Sequence, residues 1–259
     1  MWLTVASRFV LLRGSSVVRV TLLLMLWPAL GAGAQNVVPS GTVLPALLTS
    51  SVNSQKSKPG CKVTLRLMQD VPLPGSKIAK GARILGQITS VVPAQPHHGA
   101  EITLRFDQLK LSKQVIPISV HLRALASTSE VMDAAIPLTG PDRGTPFAWA
   151  NTIQVGGDAV YGEGGPVMRG DEQVGHAVPN GVLARIAATP GGPCHGAALG
   201  DSTLQALGVF SSGACGLYGL DNLRVVHAGR TAPSGEITLQ SGRGRLLIRG
   251  GSGFLLRTN

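Results

Sequence analysis

Residues 41–92, GTVLPALLTSSVNSQKSKPGCKVTLRLMQDVPLPGSKIAKGARILGQITSVV, decide the fold class. Apolar runs at Leu44–Leu48, Val63–Met68 and Arg83–Val92 are separated by turn residues at Asn53-Ser54, Lys58-Pro59-Gly60, Pro72-Leu73-Pro74-Gly75 and Lys80-Gly81. Successive side chains of a strand point to opposite faces, so Val63, Leu65 and Leu67 share one face and Lys62, Thr64 and Arg66 the other. This is a half-buried strand with a basic outer face. Beyond the stretch, 34 Gly and 17 Pro beside 14% charged residues suit many short strands and tight turns better than long helices. No window after residue 35 sustains a helical period. The expected fold class is all-β, with a small β-barrel-like N-terminal domain and a second, Gly-rich β domain.

The net charge of +10 is unevenly placed. Residues 35–127 carry eleven Lys or Arg against Asp70, Glu101 and Asp107, whereas residues 128–259 carry nine Arg, ten acids and no Lys. Such a step reads as two units with different surfaces. Lys56, Lys58, Lys62, Arg66, Lys77, Lys80 and Arg83 all fall within 28 residues opposed by Asp70 alone. They mark a candidate surface for an anionic partner, such as lipid headgroups or wall polymer. The other reading is that the lysines blunt strand edges and keep the chain soluble.

At the N-terminus, Arg8, Arg13 and Arg19 precede the apolar run VTLLLMLWPAL, and Ala32-Gly33-Ala34 offers a small-residue cleavage site before Gln35. This is the anatomy of an export signal over residues 1–34. Eleven apolar residues are few for a spanning helix, which takes about 20. The expected location is outside the cytoplasm, periplasmic or extracellular.

Strands at Glu101–Phe106 and Val115–Leu122 continue the first domain, and Pro117 marks the latter as an edge or a bulge. The blocks Gly41-Thr42-Val43-Leu44-Pro45-Ala46, Val52-Asn53-Ser54, Pro59-Gly60 and Ile78-Ala79-Lys80-Gly81-Ala82-Arg83-Ile84-Leu85-Gly86 give the resemblance its substance. They are similar, in order and spacing, to the TrbI-type barrel protein of conjugation and type IV secretion machines. The resemblance covers residues 38–92 and, more loosely, the chain to about 125. It implies a periplasmic β-barrel domain over 38–126 that helps build a channel to the outer membrane.

Residues 127–147 read as a linker, since small and turn residues dominate there. The second β domain spans 148–259, with expected strands at 152–155, 182–187, 207–210, 223–228, 236–239, 245–248 and 254–257. The Gly-rich span from Gly156 to Gly181 reads as a long surface loop.

The residues that might carry chemistry are sparse. Gly200-Asp201-Ser202 resembles the nucleophile block of GDSL-type esterases but follows no buried strand of an α/β unit, and Asp221 and His227 are six apart rather than three. A hydrolase site would need Asp201, Ser202, Asp221 and His227 or His195 to converge. His97-His98 lacks further ligands and Cys194-His195 has no second pair at zinc spacing, so no metal or cofactor is expected. Phe106 is the one aromatic of residues 41–126, too few for a stacking platform, which argues against nucleic acid. The expectation is a non-catalytic, exported cell-envelope protein with a structural or binding role. The alternatives are a secreted hydrolase with its site in the second domain and a secretion-channel component.

In an exported chain Cys194 and Cys215 are the expected disulfide, with two buried thiols as the alternative, and Cys61 is left over as a buried or partly shielded thiol, with intermolecular pairing as its alternative. Closing a loop of about twenty residues would stabilise the fold by roughly 3 kcal/mol in the chain-entropy model. Peptide mapping under non-reducing conditions is expected to recover a Cys194–Cys215 link; a Cys61–Cys194 link would overturn the pairing.

Overall fold

A computed structural model describes residues 37–112, 114–135, 138–139, 150–161, 165–187 and 202–259. The expected leader, Cys194, His195 and Asp201 lie outside these residues. In chain order the elements are β1 (Val43–Leu48), β2 (Val52–Asn53), β3 (Lys62–Leu67), β4 (Val71–Leu73), β5 (Ser76–Ile78), β6 (Arg83–Val92), β7 (Glu101–Leu111), β8 (Gln114–Pro117), β9 (Val120–Ala126), helix α1 (Thr128–Ala135), β10 (Leu138–Thr139), β11 (Ala150–Ile153), β12 (Ala159–Tyr161), β13 (Pro166–Arg169), β14 (Glu172–Val178), β15 (Gly181–Arg185), β16 (Leu204–Ala206), β17 (Gly216–Tyr218), β18 (Leu223–His227), β19 (Glu236–Ser241), β20 (Leu247–Ile248) and β21 (Gly253–Thr258). Among the described residues the chain is all-β but for one short helix.

Ten of the strands form a sheet ordered β17-β9-β21-β1-β3-β6-β7-β19-β18, with β8 beside β7. The sheet curls into a nearly closed barrel. Its two ends approach where the Leu122 N–H donates to the Ala228 carbonyl at 2.8 Å. Inside lie Leu44, Leu65, Ile84, Leu104, Ile237, Leu239 and Leu256. Phe106 and Phe254 meet edge to face there, 5.9 Å between centroids, which adds to the area they bury.

Strands of this barrel differ in how many faces they bury, and the difference decides where a partner has access. β3 alternates exposed Lys62 and Arg66 with buried Val63, Leu65 and Leu67, as its sequence predicts. β9, by contrast, is buried at every position, and β1 and β21 at all but one. Their outward side chains Val43, Ala124, Ala126 and Leu255 belong to a second apolar cluster with Val155, Val167, Val174, Val182, Leu207 and Phe210. That cluster lies under a seven-stranded antiparallel meander, β10 to β16 in sequence order, inserted between β9 and β17. One side of the barrel is therefore covered, and the side at β3, β6 and β7 keeps its charged outer residues exposed.

A polar clamp joins the two sheets. The Gln69 side chain is fully buried; its amide donates to the Val182 carbonyl at 3.0 Å, and its carbonyl oxygen accepts from Val182 N–H at 3.2 Å and Gly208 N–H at 2.7 Å. Gly181 makes room, since a Cβ there would sit 2.0 Å from the Gln69 oxygen. An unmet buried amide would cost about 1–3 kcal/mol per group, so three satisfied bonds hold the meander in one register.

Four expectations are corrected by this topology. The described residues form one compact unit, and β17, β18, β19 and β21 complete the sheet begun by β1, so the boundary at 127–147 does not separate two β domains. The 127–147 linker begins with α1, whose Ser127 accepts the Glu130 N–H on its hydroxyl at 3.3 Å. Ser127 and Glu130 have the spacing of a helix capping box. The supposed loop from Gly156 to Gly181 contains β12, β13 and β14, whose small buried residues Val167, Val174 and Ala177 suit close packing on the barrel. The run at 115–122 is two strands, β8 and the start of β9, and β8 is paired only with β7, so Pro117 does mark an edge.

Since β21 lies between β1 and β9, residues 38–126 alone leave both of those strands without their shared partner. That fragment is expected to show no cooperative unfolding transition by circular dichroism, whereas residues 37–259 show one. A sharp transition in the fragment would contradict the single-barrel architecture.

Candidate functional site

All seven expected cations, Lys56, Lys58, Lys62, Arg66, Lys77, Lys80 and Arg83, are exposed, but they do not form one cluster. Lys56 and Lys58 lie in the turn between β2 and β3. Lys62 and Arg66 stand on the outer face of β3, and Arg83 opens β6. Lys77, on β5, is ion-paired with Asp70 at 2.6 Å. The Lys80 N–H also donates to Asp70, at 2.8 Å, and the Lys80 ammonium bonds the Asn180 side chain of the meander. Hydrogen bonds from Lys77 and Lys80 hold the Asp70 carboxyl below the usual carboxylate range. These groups line a groove of about 320 Å³ together with Pro72, Val178, Pro179, Asn180 and Leu183. The cations here are already matched by an acid and an amide.

The sheet face is different. Arg66 on β3 stands opposite Arg83 on β6, and Arg83 stands opposite Lys110 on β7. The row ends at the exposed Val115 of β8. Among the described residues none of these three cations has a side-chain hydrogen bond or ion pair. A second row runs from Lys62 through Gln87 to Arg105, but Arg105 faces Glu236 on β19. The sheet thus carries one row with an acid at its end and one without.

Lys110 was missed from the sequence because of a bulge. Ile102, Leu104 and Phe106 point inward, and strict alternation would send residue 110 inward as well. The register shifts at Asp107, between the pairs Gly86–Phe106 and Leu85–Gln108, so Leu109 is buried and Lys110 emerges. No residue type at Asp107 announces such a bulge.

The remaining expected groups are dispersed. Both His227 nitrogens have local partners, the Glu236 carbonyl at 2.7 Å and the Thr231 hydroxyl at 3.1 Å. His195 and Asp201 lie outside the described residues, as does the Cys194 side of the expected disulfide. Cys61 is a free thiol and exposed, which corrects the expectation of a shielded one: it follows the Pro59-Gly60 turn at the barrel surface. His98 is bonded by Gly99 and Gln240. Among the described residues no three His, Cys, Asp or Glu side chains gather as a metal site.

Two buried basic side chains, Arg123 and His121, sit on β9. Arg123 donates to the Ala187 and Ser212 carbonyls at 3.2 and 3.3 Å, tying β9 to the meander; burial pushes its guanidinium down to about 10, so it stays charged at neutral pH. His121 lies 2.7 Å from the Asn259 side-chain oxygen, and Asn259 in turn donates to Ser119 and Ser234. Burial pushes the imidazole down to about 4, the Asn259 bond opposes this, and Arg230, Arg257 and Arg123 add to it. With arginines and no acid as its charged neighbours, His121 is a structural residue of the barrel seam.

An imidazole that titrates near 6.5 when unfolded and about 4 when folded binds its proton first in the unfolded state. Its contribution to stability is therefore complete above about pH 6.5 and lost as pH falls toward 4. The loss amounts to roughly 3 kcal/mol at most. Thermal unfolding of the parent chain and of His121→Gln, compared between pH 7 and 4, is expected to show a smaller acid-induced fall in the variant. Equal falls would remove His121 from the account.

Comparison of the chain with protein-family models and with curated proteins gives no match.

Proposed function

We propose that this chain is an exported, non-catalytic cell-envelope protein whose basic barrel wall binds an anionic envelope component. One observation carries the reading: the seven cations of residues 56–83 are all exposed, and five of them, Lys56, Lys58, Lys62, Arg66 and Arg83, have neither an ion pair nor a side-chain hydrogen bond among the described residues. The meander covers the opposite side of the barrel, so the β3–β6–β7 wall is the side open to a partner. The resemblance of residues 38–125 to TrbI-type barrel proteins and the leader-like anatomy of residues 1–34 support a place in the envelope. Binding of this kind is electrostatic. Exposed charges more than about 8 Å apart are screened at physiological ionic strength, so affinity falls as salt rises.

Co-sedimentation of the whole chain with cell-wall sacculi and with vesicles containing anionic lipid is expected to recover protein at low salt and to release it at high salt. Neutral vesicles are expected to recover none. Absence of binding to either anionic material at low salt would leave the lysines and arginines as solubilising residues only.

A further inference from the structure

Like charges directly opposite each other on neighbouring strands destabilise a sheet, and acids usually intersperse a basic wall. The row Arg66–Arg83–Lys110 breaks that pattern over three adjacent strands. Acids near the row do not relieve it: Asp70 is engaged by Lys77 and Lys80. Glu236 stands opposite Arg105 in the other row, and Asp107 is the half-buried bulge residue of β7. Among the described residues none of the three cations of the row is ion-paired.

We propose that this row is a track for a linear polyanion, a polymer bearing oxyanions at short intervals, lying across β3, β6 and β7. This rests on the anionic-partner reading above and narrows it to three residues and one class of partner. Neighbouring strands are about 4.8 Å apart, so the row offers three cationic heads at short, regular steps. A polymer with an anion on successive units can match such steps, and the two guanidinium forks can each grip a carboxylate or phosphate through paired N–H bonds. A bilayer surface fits the row less well. Proteins that lie on membranes add aromatic or leucine anchors beside their cations, and the exposed large apolar side chain at this row is Val115 alone among the described residues.

The test uses the whole chain and two polymer probes, polygalacturonate for carboxylates and inorganic polyphosphate for phosphates, titrated by calorimetry at several salt concentrations. Arg66→Gln/Arg83→Gln/Lys110→Gln is compared with the control Arg243→Gln/Arg245→Gln/Arg249→Gln, three exposed arginines outside the basic wall whose replacement removes the same charge. The row variant is expected to lose at least tenfold in affinity and to flatten the dependence of log affinity on log salt by about 2, the share of three released counterions. The control is expected to lose less than threefold, and the tighter of the two polymers identifies the oxyanion. Because repulsion is relieved, the row variant should unfold at the same temperature as the parent or higher; Arg83→Gln alone gives a second reading if the triple variant misfolds. Equal losses in both variants would overturn the row, the affinity then following net charge alone. Binding to anionic vesicles but to neither polymer would overturn the polymer in favour of a membrane surface. No binding to polymer, vesicle or sacculus would overturn both readings.

Discussion

Burial of both faces of β1, β9 and β21 is the constraint from which the rest of the structure follows. A barrel strand needs an apolar inner face only; these three also carry apolar outer side chains, Val43, Ala124, Ala126 and Leu255 among them. Left uncovered, they would form an exposed patch of the kind that drives association. The meander removes them from water, and in doing so it assigns the two sides of the barrel different roles. The covered side holds the fold together. The wall at β3, β6 and β7 stays in solvent with its charges outward.

Polar groups set the geometry of that covering where apolar contacts would leave it free to slide. Hydrophobic packing is non-directional, and a meander of small residues could sit on the barrel in several registers. Gln69 and Arg123 reach out of the barrel strands or their ends to backbone groups of the meander and its flanks. Because those groups are buried, displacement by one residue would leave amide and guanidinium donors without acceptors, a cost far above that of lost van der Waals contact. The clamp also depends on backbone without side chains at Gly181.

How far the sequence could be read depended on whether a signal was local. The alternation of Lys62–Leu67 and the turn residues around it gave β3, its outward cations and the all-β class directly. Edge position was legible from Pro117. Three features were not. The charge step near residue 127 invited a domain boundary, but charge marks surface and not connectivity, and β21 returns to the middle of the sheet. The Ser127-Glu130 cap was present but followed by only eight helical residues, too few for a period to stand out. The bulge at Asp107 turned Lys110 outward, and only the paired strand reveals a shifted register. The basic wall was thus legible as composition, while its arrangement into rows required the neighbours that each strand finds in three dimensions.

The position of β21 has a consequence for the order of events during biogenesis. Residues 253–258 are made more than a hundred residues after β9, yet they fill the slot between β9 and β1. Until they emerge, two strands with apolar faces have no partner at that slot, and closing it demands contacts across almost the whole chain. Such a topology delays completion of the barrel until synthesis has passed the last strand.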